Sequence, residues 1–506
     1  MVESLFTGFQ LFFTLENILA VAIGLVIGII IGAIPGLNVP MAVALLLPLT
    51  FAMSPITGLA LLLGVYKGGT YGGSISAILI NTPGAPAAAA TVIDGYPLAQ
   101  QGKAGKALRA SIYGSVLGEF FADLILITLA AQIASVALKF GPAEKFALVV
   151  FALSTIAVIS SENKLKGVAA GLVGVFIYTV GQDPISGAAR FTLGLFQLTA
   201  GVPFLPLLIG MFAVSEFFAQ VGKKSQVGGK DILTKVSNRK EDNYVSWAEF
   251  RENIKTIIRS TLIGVGVGAL PGSGSAIAAF VSYGAAKNSS RHPEQFGHGS
   301  LEGIFAAETG NNAVCGGALI PLLTLGIPGD AITAIMLGVF LVHGIVPGPD
   351  LFTKSADLVN ALFIALIVSN ILHLSIALAG LKLFTRLLTL SRSLLFPAVI
   401  VICIAGAFSG NSNIFDVYVM LFFGFVGYLM KKYDFSISTF LMGYILGPLL
   451  ETSLVQTLII NDGSILPIFL RPISLFFILL TVFFIFWSAI IRKKITQRRA
   501  GKGEGQ

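Results

Sequence analysis

Continuous stretches of about 20 apolar residues recur along this chain of 506 residues. The first runs from about Leu11 to Ile34. Others cover 40–66 (interrupted by Pro48 and Pro55), 107–138, 144–160, 165–181 and 190–221. A hydrophilic segment at 222–259 precedes a second series at 256–286, 313–346, 357–381, 394–409, 415–430, 435–450 and 472–491. The runs do not alternate apolar with polar positions, which disfavours an outer-membrane barrel. The expected fold is an all-α polytopic integral membrane protein with about 10–12 transmembrane helices. Runs interrupted by Gly and Pro are expected to be broken helices or re-entrant hairpins, because irregular backbone in a membrane must be covered by protein or line a cavity.

The pattern repeats. GAIPGLN at 32–38 returns as GALPGSG at 268–274, and KGGTYGGSISAILINTPG at 67–84 as ETGNNAVCGGALIPLLTLGIPG at 308–329. DGYP at 94–97 has a weaker echo in HGIVP at 343–347. The offset grows from 236 (Pro35 to Pro271) to 245 (Pro83 to Pro328), and the polar segment 291–299 accommodates the added residues.

Composition agrees with the pattern: 55% of residues are hydrophobic and 11% charged, with a mean hydropathy of +0.87. A soluble domain is about 25% charged, so soluble, disordered and disulfide-framework classes are excluded. Charge then adds orientation. Segment 222–259 holds nine basic and five acidic residues, and the tail 492–506 holds six and one; the rest of the chain carries −1, which leaves the net +8. The positive-inside rule reads both as cytoplasmic and removes any need for a nucleic-acid partner. No Lys or Arg precedes Lys67, so the first run lacks the basic region of a signal peptide and is expected to be an uncleaved span with its N-terminus outside. The second repeat starts just after a cytoplasmic segment, so the two copies are expected to be inverted, as in many secondary transporters.

The expected organisation is a first half at 1–221 with motif segments 32–38 and 67–97, and a basic loop at 222–259. The second motif region covers 260–391, including 268–274 and 308–349. C-terminal helices at 392–491 would serve as scaffold and partner docking, and a basic tail covers 492–506.

Candidate chemistry gathers at the breaks. Each Pro-Gly pair leaves free amides at a helix start, where the helix dipole favours an anion. The first break of each copy offers Pro35, Gly36, Leu37 and Asn38, and Gly272, Ser273, Gly274 and Ser275. The second offers Asn81, Thr82, Pro83 and Gly84, and Gly326, Pro328 and Gly329. Between them Thr70, Tyr71, Gly72, Gly73 and Ser74, with Asn311 and Asn312, supply donors, acceptors and close backbone approach; the alternative for the glycines is helix packing alone. Lys67 is a candidate partner for a substrate carboxylate, and Glu308 for a cation or proton; both also fit helix ends at the interface. Asn38, Asn81, Glu308, Thr309 and Asn312 form a candidate sodium site. Asp94, Glu119, Asp123 and Asp330 are weaker candidates. No paired metal spacing occurs among the four histidines, and neither a Walker A nor a GxSxG motif appears, so no enzyme activity and no bound cofactor are expected. Cys315 and Cys403 lie in apolar context and are expected to be inert.

GAIPGLN, the long motif YKGGTYGGSISAILINTPGAPAAAATVIDGYPLAQQGKAGKAL, GALPGSGSAIAAF and LGIPGDAITAIMLG resemble the large membrane subunit of the tripartite tricarboxylate transporters, over about residues 5–490. The resemblance implies a permease of the bacterial inner membrane, surrounded by lipid. It implies a small integral membrane subunit (TctB-type) and a periplasmic solute-binding protein (TctC-type) as partners. It further implies import of tricarboxylates or related carboxylates, such as citrate, driven by a cation gradient, with sodium expected and a proton as the alternative. An elevator-like movement is expected, with rocking as its rival. Two other readings stay open: a stand-alone ion-coupled organic-anion transporter, and a membrane-embedded enzyme or sensor using the same pocket.

Overall fold

The computed structural model describes residues 2–159, 163–221, 239–387 and 392–486; residues 222–238 of the basic segment and the whole basic tail 492–506 lie outside the described residues. The described chain is almost entirely helical. In order come α1 (Val2–Phe12), α2 (Leu15–Ala33), α3 (Val39–Leu46), α4 (Pro55–Ile80), α5 (Ala88–Leu98), α6 (Ala104–Ala137), α7 (Pro142–Ile159) and α8 (Lys164–Tyr178). A two-stranded hairpin, β1 (Gly181–Gln182) with β2 (Ala189–Arg190), is followed by α9 (Phe204–Ile209), α10 (Ser215–Val221) and α11 (Lys240–Asn243). Then follow α12 (Trp247–Gly268), α13 (Gly274–Ser289), α14 (Leu301–Leu325), α15 (Ala331–Val342), α16 (Leu351–Lys354) and α17 (Ala356–Leu387). The chain continues through α18 (Arg392–Asn411), α19 (Ile414–Lys432), α20 (Ile437–Ile460) and α21 (Leu466–Leu470).

Among the described residues, six helices are long and apolar enough to cross a membrane: Leu15–Ala33, Ala88–Ala137, Pro142–Ile159, Ala356–Leu381, Ile414–Lys432 and Ile437–Ile460. The protein is a multi-pass, all-α membrane protein. Helices α4 and α14 fall outside that count because Gly, Ser, Thr and Asn dilute their middles, yet both are buried along almost their whole length. Several apolar runs subdivide. The first is two helices, α1 and α2, parted at Thr14, whose hydroxyl caps α2. The run 313–346 breaks into the end of α14 and α15, and 190–221 begins as irregular chain before α9.

The chain divides into two compact units, 1–135 with 203–429, and 136–202 with 430–506. The second unit packs α20 against α7 and α8, with Gly443 on the Gly171 carbonyl and Gly174 on that of Phe440. There Arg190 reaches Glu451 at 2.5 Å and Asp183 at 3.0 Å. These units follow contacts rather than sequence repeats, and so divide the chain differently from the two repeat halves.

The first unit contains both repeats. In the first copy α2 runs parallel to α4, with Gly24, Gly28 and Gly32 facing the backbone of Leu61, Val65 and Gly69. In return Gly64, Gly68 and Gly72 face the carbonyls of Val21, Leu25 and Ile29. Small residues at this seam let main chains touch, which is how membrane helices pack without hydrophobic drive. The second copy does the same with α12 and α14, through Gly264 against Gly310 and Gly268 against Val314 and Gly317. Each copy breaks twice at matched left-handed positions. Gly36 (φ 92°) corresponds to Gly272 (φ 77°) at offset 236, and Asn81 (φ 55°) to Gly326 (φ 72°) at offset 245. After each second break the chain folds back. Gly84 sits against Gly73 and the Gly32 carbonyl, and its counterpart Gly329 against Ala318 and the Gly268 carbonyl.

The copies run in opposite directions. Thr70 of α4 meets Cys315 of α14 (3.7 Å), while Ser74, one turn further on α4, meets Glu308, further back on α14 (2.5 Å). Equivalent helices are thus antiparallel. Thr70 and Cys315 are themselves equivalents at offset 245, so a pseudo-twofold axis passes between them. Helix α6 packs along α14 through Gly118, and α17 along α4 through contacts to Lys67 and Tyr71, as the same symmetry requires.

A side chain in the α2–α4 seam has nowhere to go. A Cβ on Gly28 would lie 2.5 Å from the Val65 carbonyl, whereas one on the helical Gly284 would meet nothing within 4 Å. Gly28→Val is expected to cost about 1–3 kcal/mol by overpacking. Gly284→Ala is expected to be neutral or slightly stabilising through helix propensity. Thermal unfolding of the two purified variants in detergent checks this, and equal midpoints would refute the seam.

Candidate functional site

Four half-helices begin near the Thr70–Cys315 crossing. Val39, the first residue of α3, packs into the space left by Gly69. Asp330, which caps α15 through Thr333, accepts a hydrogen bond from Tyr66 Oη at 2.5 Å. In the first turn of α5, Thr91 donates to Glu308. On α13, Ala278 lies against Gly310. From this common level α3 and α15 run toward the start of α4, while α5 and α13 run toward the start of α14. Their N-terminal amides therefore approach one level from both sides, each carrying the partial positive charge of a helix start. Within each copy the two breaks also touch: the Gly272 amide donates to the Gly329 carbonyl at 2.7 Å, and Gly84 lies on Gly32.

Buried polar groups fill the same level. Thr70, Asn311 and Asn312 are at most 5% exposed. Asn311 Nδ2 donates to the Thr70 carbonyl at 3.3 Å, and Asn312 Nδ2 to Ser115 Oγ at 2.8 Å and the Glu308 carbonyl at 3.0 Å. Their Oδ1 atoms have no hydrogen-bond partner among the described residues. Glu308 is ringed by hydroxyls: Ser74 and Thr91 on one oxygen and Ser115, at 3.0 Å, on the other.

Residues 18–442 match the tripartite tricarboxylate transporter TctA family. The chain belongs to that family. It is 38% identical over 476 residues, 94% of this chain and 93% of the relative, to an "Uncharacterized 52.8 kDa protein in TAR-I ttuC' 3'region" of Agrobacterium vitis. It is also 38% identical over 208 residues to an "Uncharacterized protein in TAR-II ttuC' 3'region" of the same organism, covering 41% of this chain and 86% of that one. No solved structure matches. As a TctA-family member the chain is a membrane transporter component of tricarboxylate transport, in a family of transporters rather than enzymes whose tripartite systems work with partner subunits.

In this TctA-family chain the sequence-derived site residues have distinct fates. Asn38 caps α3 through Met41 N at 2.8 Å. Asn81, Thr82 and Pro83 are exposed at the second break. Asn81 adopts the left-handed backbone that its counterpart Gly326 adopts, and that requirement suffices to explain an Asn there. Ser273 Oγ turns back to the Leu270 carbonyl at 2.7 Å. Glu308, Thr309 and Asn312 share α14, but no described hydrogen bond joins them to Asn38 or Asn81. Among the described residues, no three His, Cys, Asp or Glu side chains stand together as a metal site.

Lys67 differs most from expectation. It is wholly buried, and its ammonium is engaged by Asp123 Oδ2 (2.6 Å), Asn370 Oδ1 (2.7 Å) and the Leu366 carbonyl (3.1 Å). All three donors are used, so none remains for a substrate carboxylate. By the offset of 245, Lys67 corresponds to Asn312, and Glu308 to Leu63.

Two contacts escaped sequence reasoning. Asp94 of the DGYP motif accepts from the amides of Gly297, Gly299 and Ser300 at 2.8–3.0 Å and from Tyr283 Oη at 2.8 Å. It pins the polar segment before α14 onto α5, which gives the motif a structural role. His373 pairs with Glu119 at 3.0 Å. The partners are 203 and 254 residues apart, beyond any local signal.

Removing one member of a buried ion pair leaves the other unpaired. Lys67→Met is expected to cost about 3–5 kcal/mol, and Lys67→Met with Asp123→Leu to recover most of it. Denaturation of the full chain in mixed micelles measures the cycle; a double variant no better than the single would show that the pair is not the reason Lys67 is held.

Proposed function

We propose that this chain is the permease subunit of a binding-protein-dependent secondary transporter that imports tricarboxylates or related carboxylates, citrate among them, driven by a cation gradient. The observation that carries the reading is the convergence of four half-helix starts on one level between two antiparallel copies. Such starts offer amides and dipole charge to a polyanion without placing a free cation in the membrane. Asn311, Asn312 and Thr70 would add neutral hydrogen bonds, while the breaks at Pro35–Asn38, Asn81–Gly84, Gly272–Ser275 and Gly326–Gly329 would give access from either side. The coupling cation is sodium or a proton. The chain lies in the bacterial inner membrane with its N-terminus periplasmic and its basic loop and C-terminus cytoplasmic. A small membrane subunit and a periplasmic binding protein complete the system. The motif segments form the moving body of an elevator-like cycle against a scaffold of the remaining helices.

Each hydrogen bond to a charged ligand is worth about 1.5–3 kcal/mol, or roughly ten- to a hundredfold in affinity. Uptake of a labelled carboxylate panel into proteoliposomes holding the chain and its partner subunits, with sodium and pH gradients varied separately, tests the reading. Accumulation is expected under at least one gradient, with Asn311→Ala and Asn312→Ala lowering it by at least about tenfold. Binding without gradient-driven accumulation would overturn the permease assignment, and unchanged uptake in both variants would overturn the site.

A further inference from the structure

Beside the crossing, one cluster of ionisable side chains is left with unbalanced charge. Lys67 of α4 (+1) and Asp123 of α6 (−1) neutralise each other. One turn earlier on α6, Glu119 adds a further −1, and the group facing it is His373 of α17, with Nδ1 3.0 Å from Oε2. Tyr71 of α4 sets its ring edge-on to His373, centroids 5.4 Å apart. Glu119, Asp123, His373, Lys67 and Tyr71 have no exposure at all, and Asn370 only 2%. With a neutral imidazole the cluster totals −1; with an imidazolium it totals zero. A buried uncompensated carboxylate is strongly disfavoured, so the arrangement calls for one more positive charge.

The same side chains carry open valences. Glu119 Oε1, Asp123 Oδ1, His373 Nε2 and Tyr71 Oη have no hydrogen-bond partner among the described residues. A hard cation such as sodium wants a shell of oxygen ligands, and here an imidazole occupies one carboxylate oxygen while a second ring nitrogen lies open. A proton needs only one nitrogen or oxygen. Other titratable groups on the packed helices include Tyr66 of α4, Lys106, Arg109 and Tyr113 of α6, Glu302, Glu308 and Cys315 of α14, Asp357 of α17 and Glu16 of α2. None of them is a hydrogen-bond partner of His373 or Glu119.

We propose that Glu119 and His373 bind one exchangeable proton, and that this proton is the cation coupled to transport. The coupling role rests on the permease reading above, whereas the proton site does not. Glu119 and His373 bridge α6 and α17, the symmetry-related helices flanking the two copies, and Asn370 Nδ2 reaches Asp123 at 2.7 Å across the same junction. Loss of the proton would leave a buried negative charge, so release requires water or a counter-charge to enter the junction. A movement of the motif segments against α6 and α17 supplies that change, and the proton is thereby tied to it.

The full chain in lipid nanodiscs, labelled with 15N-histidine, tests the site without any substrate. The chain has four histidines, and loss of a signal in His373→Gln assigns it. The expected spectrum shows an imidazolium that loses its proton as pH rises. Glu119→Gln should weaken proton binding by at least about tenfold, which is one pH unit. Glu119→Asp, which keeps the charge, should retain most of the affinity and also guards against a Gln variant that does not fold. A His373 neutral at every pH between about 5 and 9 would overturn the proposal, as would an unchanged midpoint in a folded Glu119→Gln chain. A signal that follows sodium at fixed pH would overturn it in favour of a metal cation. Coupling is read separately in proteoliposomes with the partner subunits, using citrate as probe. His373→Gln should lose the stimulation of citrate uptake by a pH gradient. A wild-type chain that titrates but accumulates no citrate would leave the proton site standing and count against the permease reading.

Discussion

At the four matched motif breaks a helix stops short and restarts, and hydrocarbon tolerates that only where protein covers the loose amides and carbonyls. An unpaired backbone group there costs several kcal/mol. The glycine seams meet this constraint. Because α2 and α4 touch main chain to main chain, and α12 and α14 likewise, the breaks can be folded back onto a neighbouring helix: Gly84 onto Gly73, Gly329 onto Ala318. Removing side chains from the seams thus leaves room for polar backbone in the interior, and the half-helix starts follow from that room.

The repeat makes the arrangement symmetric, but its two halves are not chemically alike. The level of the crossing holds Lys67 in one copy and Asn312 in the other. Acidic groups follow neither copy: Glu308 lies on α14, Glu119 and Asp123 on α6. The framework therefore presents similar amides from two directions while the side chains around them differ. An anion reading suits the amides, and a cation reading suits the acids beside them.

Much of this was legible in the sequence for a definite reason. Left-handed backbone admits few residues, so the matched pairs Gly36 with Gly272 and Asn81 with Gly326 leave a trace even where neighbours diverge. The inverted arrangement could be read from charge because lysine and arginine report sidedness. Helix lengths were less legible: the run 313–346 is continuous in hydropathy although Gly326 ends α14 within it. The side-chain network was illegible. Lys67 looked like a ligand because a buried lysine is costly, and its answer to that cost, Asp123 with Asn370, depends on helices 56 and 303 residues away. Glu119 and His373 carried no motif at all.

The three acceptors around Lys67 also set a requirement of shape. They converge on one point from two helices, Asp123 from α6 and Leu366 and Asn370 from α17, an arrangement that suits the compact, tetrahedral ammonium and not the flat fork of a guanidinium. Arginine would keep the charge while pushing α6 and α17 apart from α4. The junction of the two copies therefore selects a cation by its geometry, and charge alone does not specify the residue that can stand there.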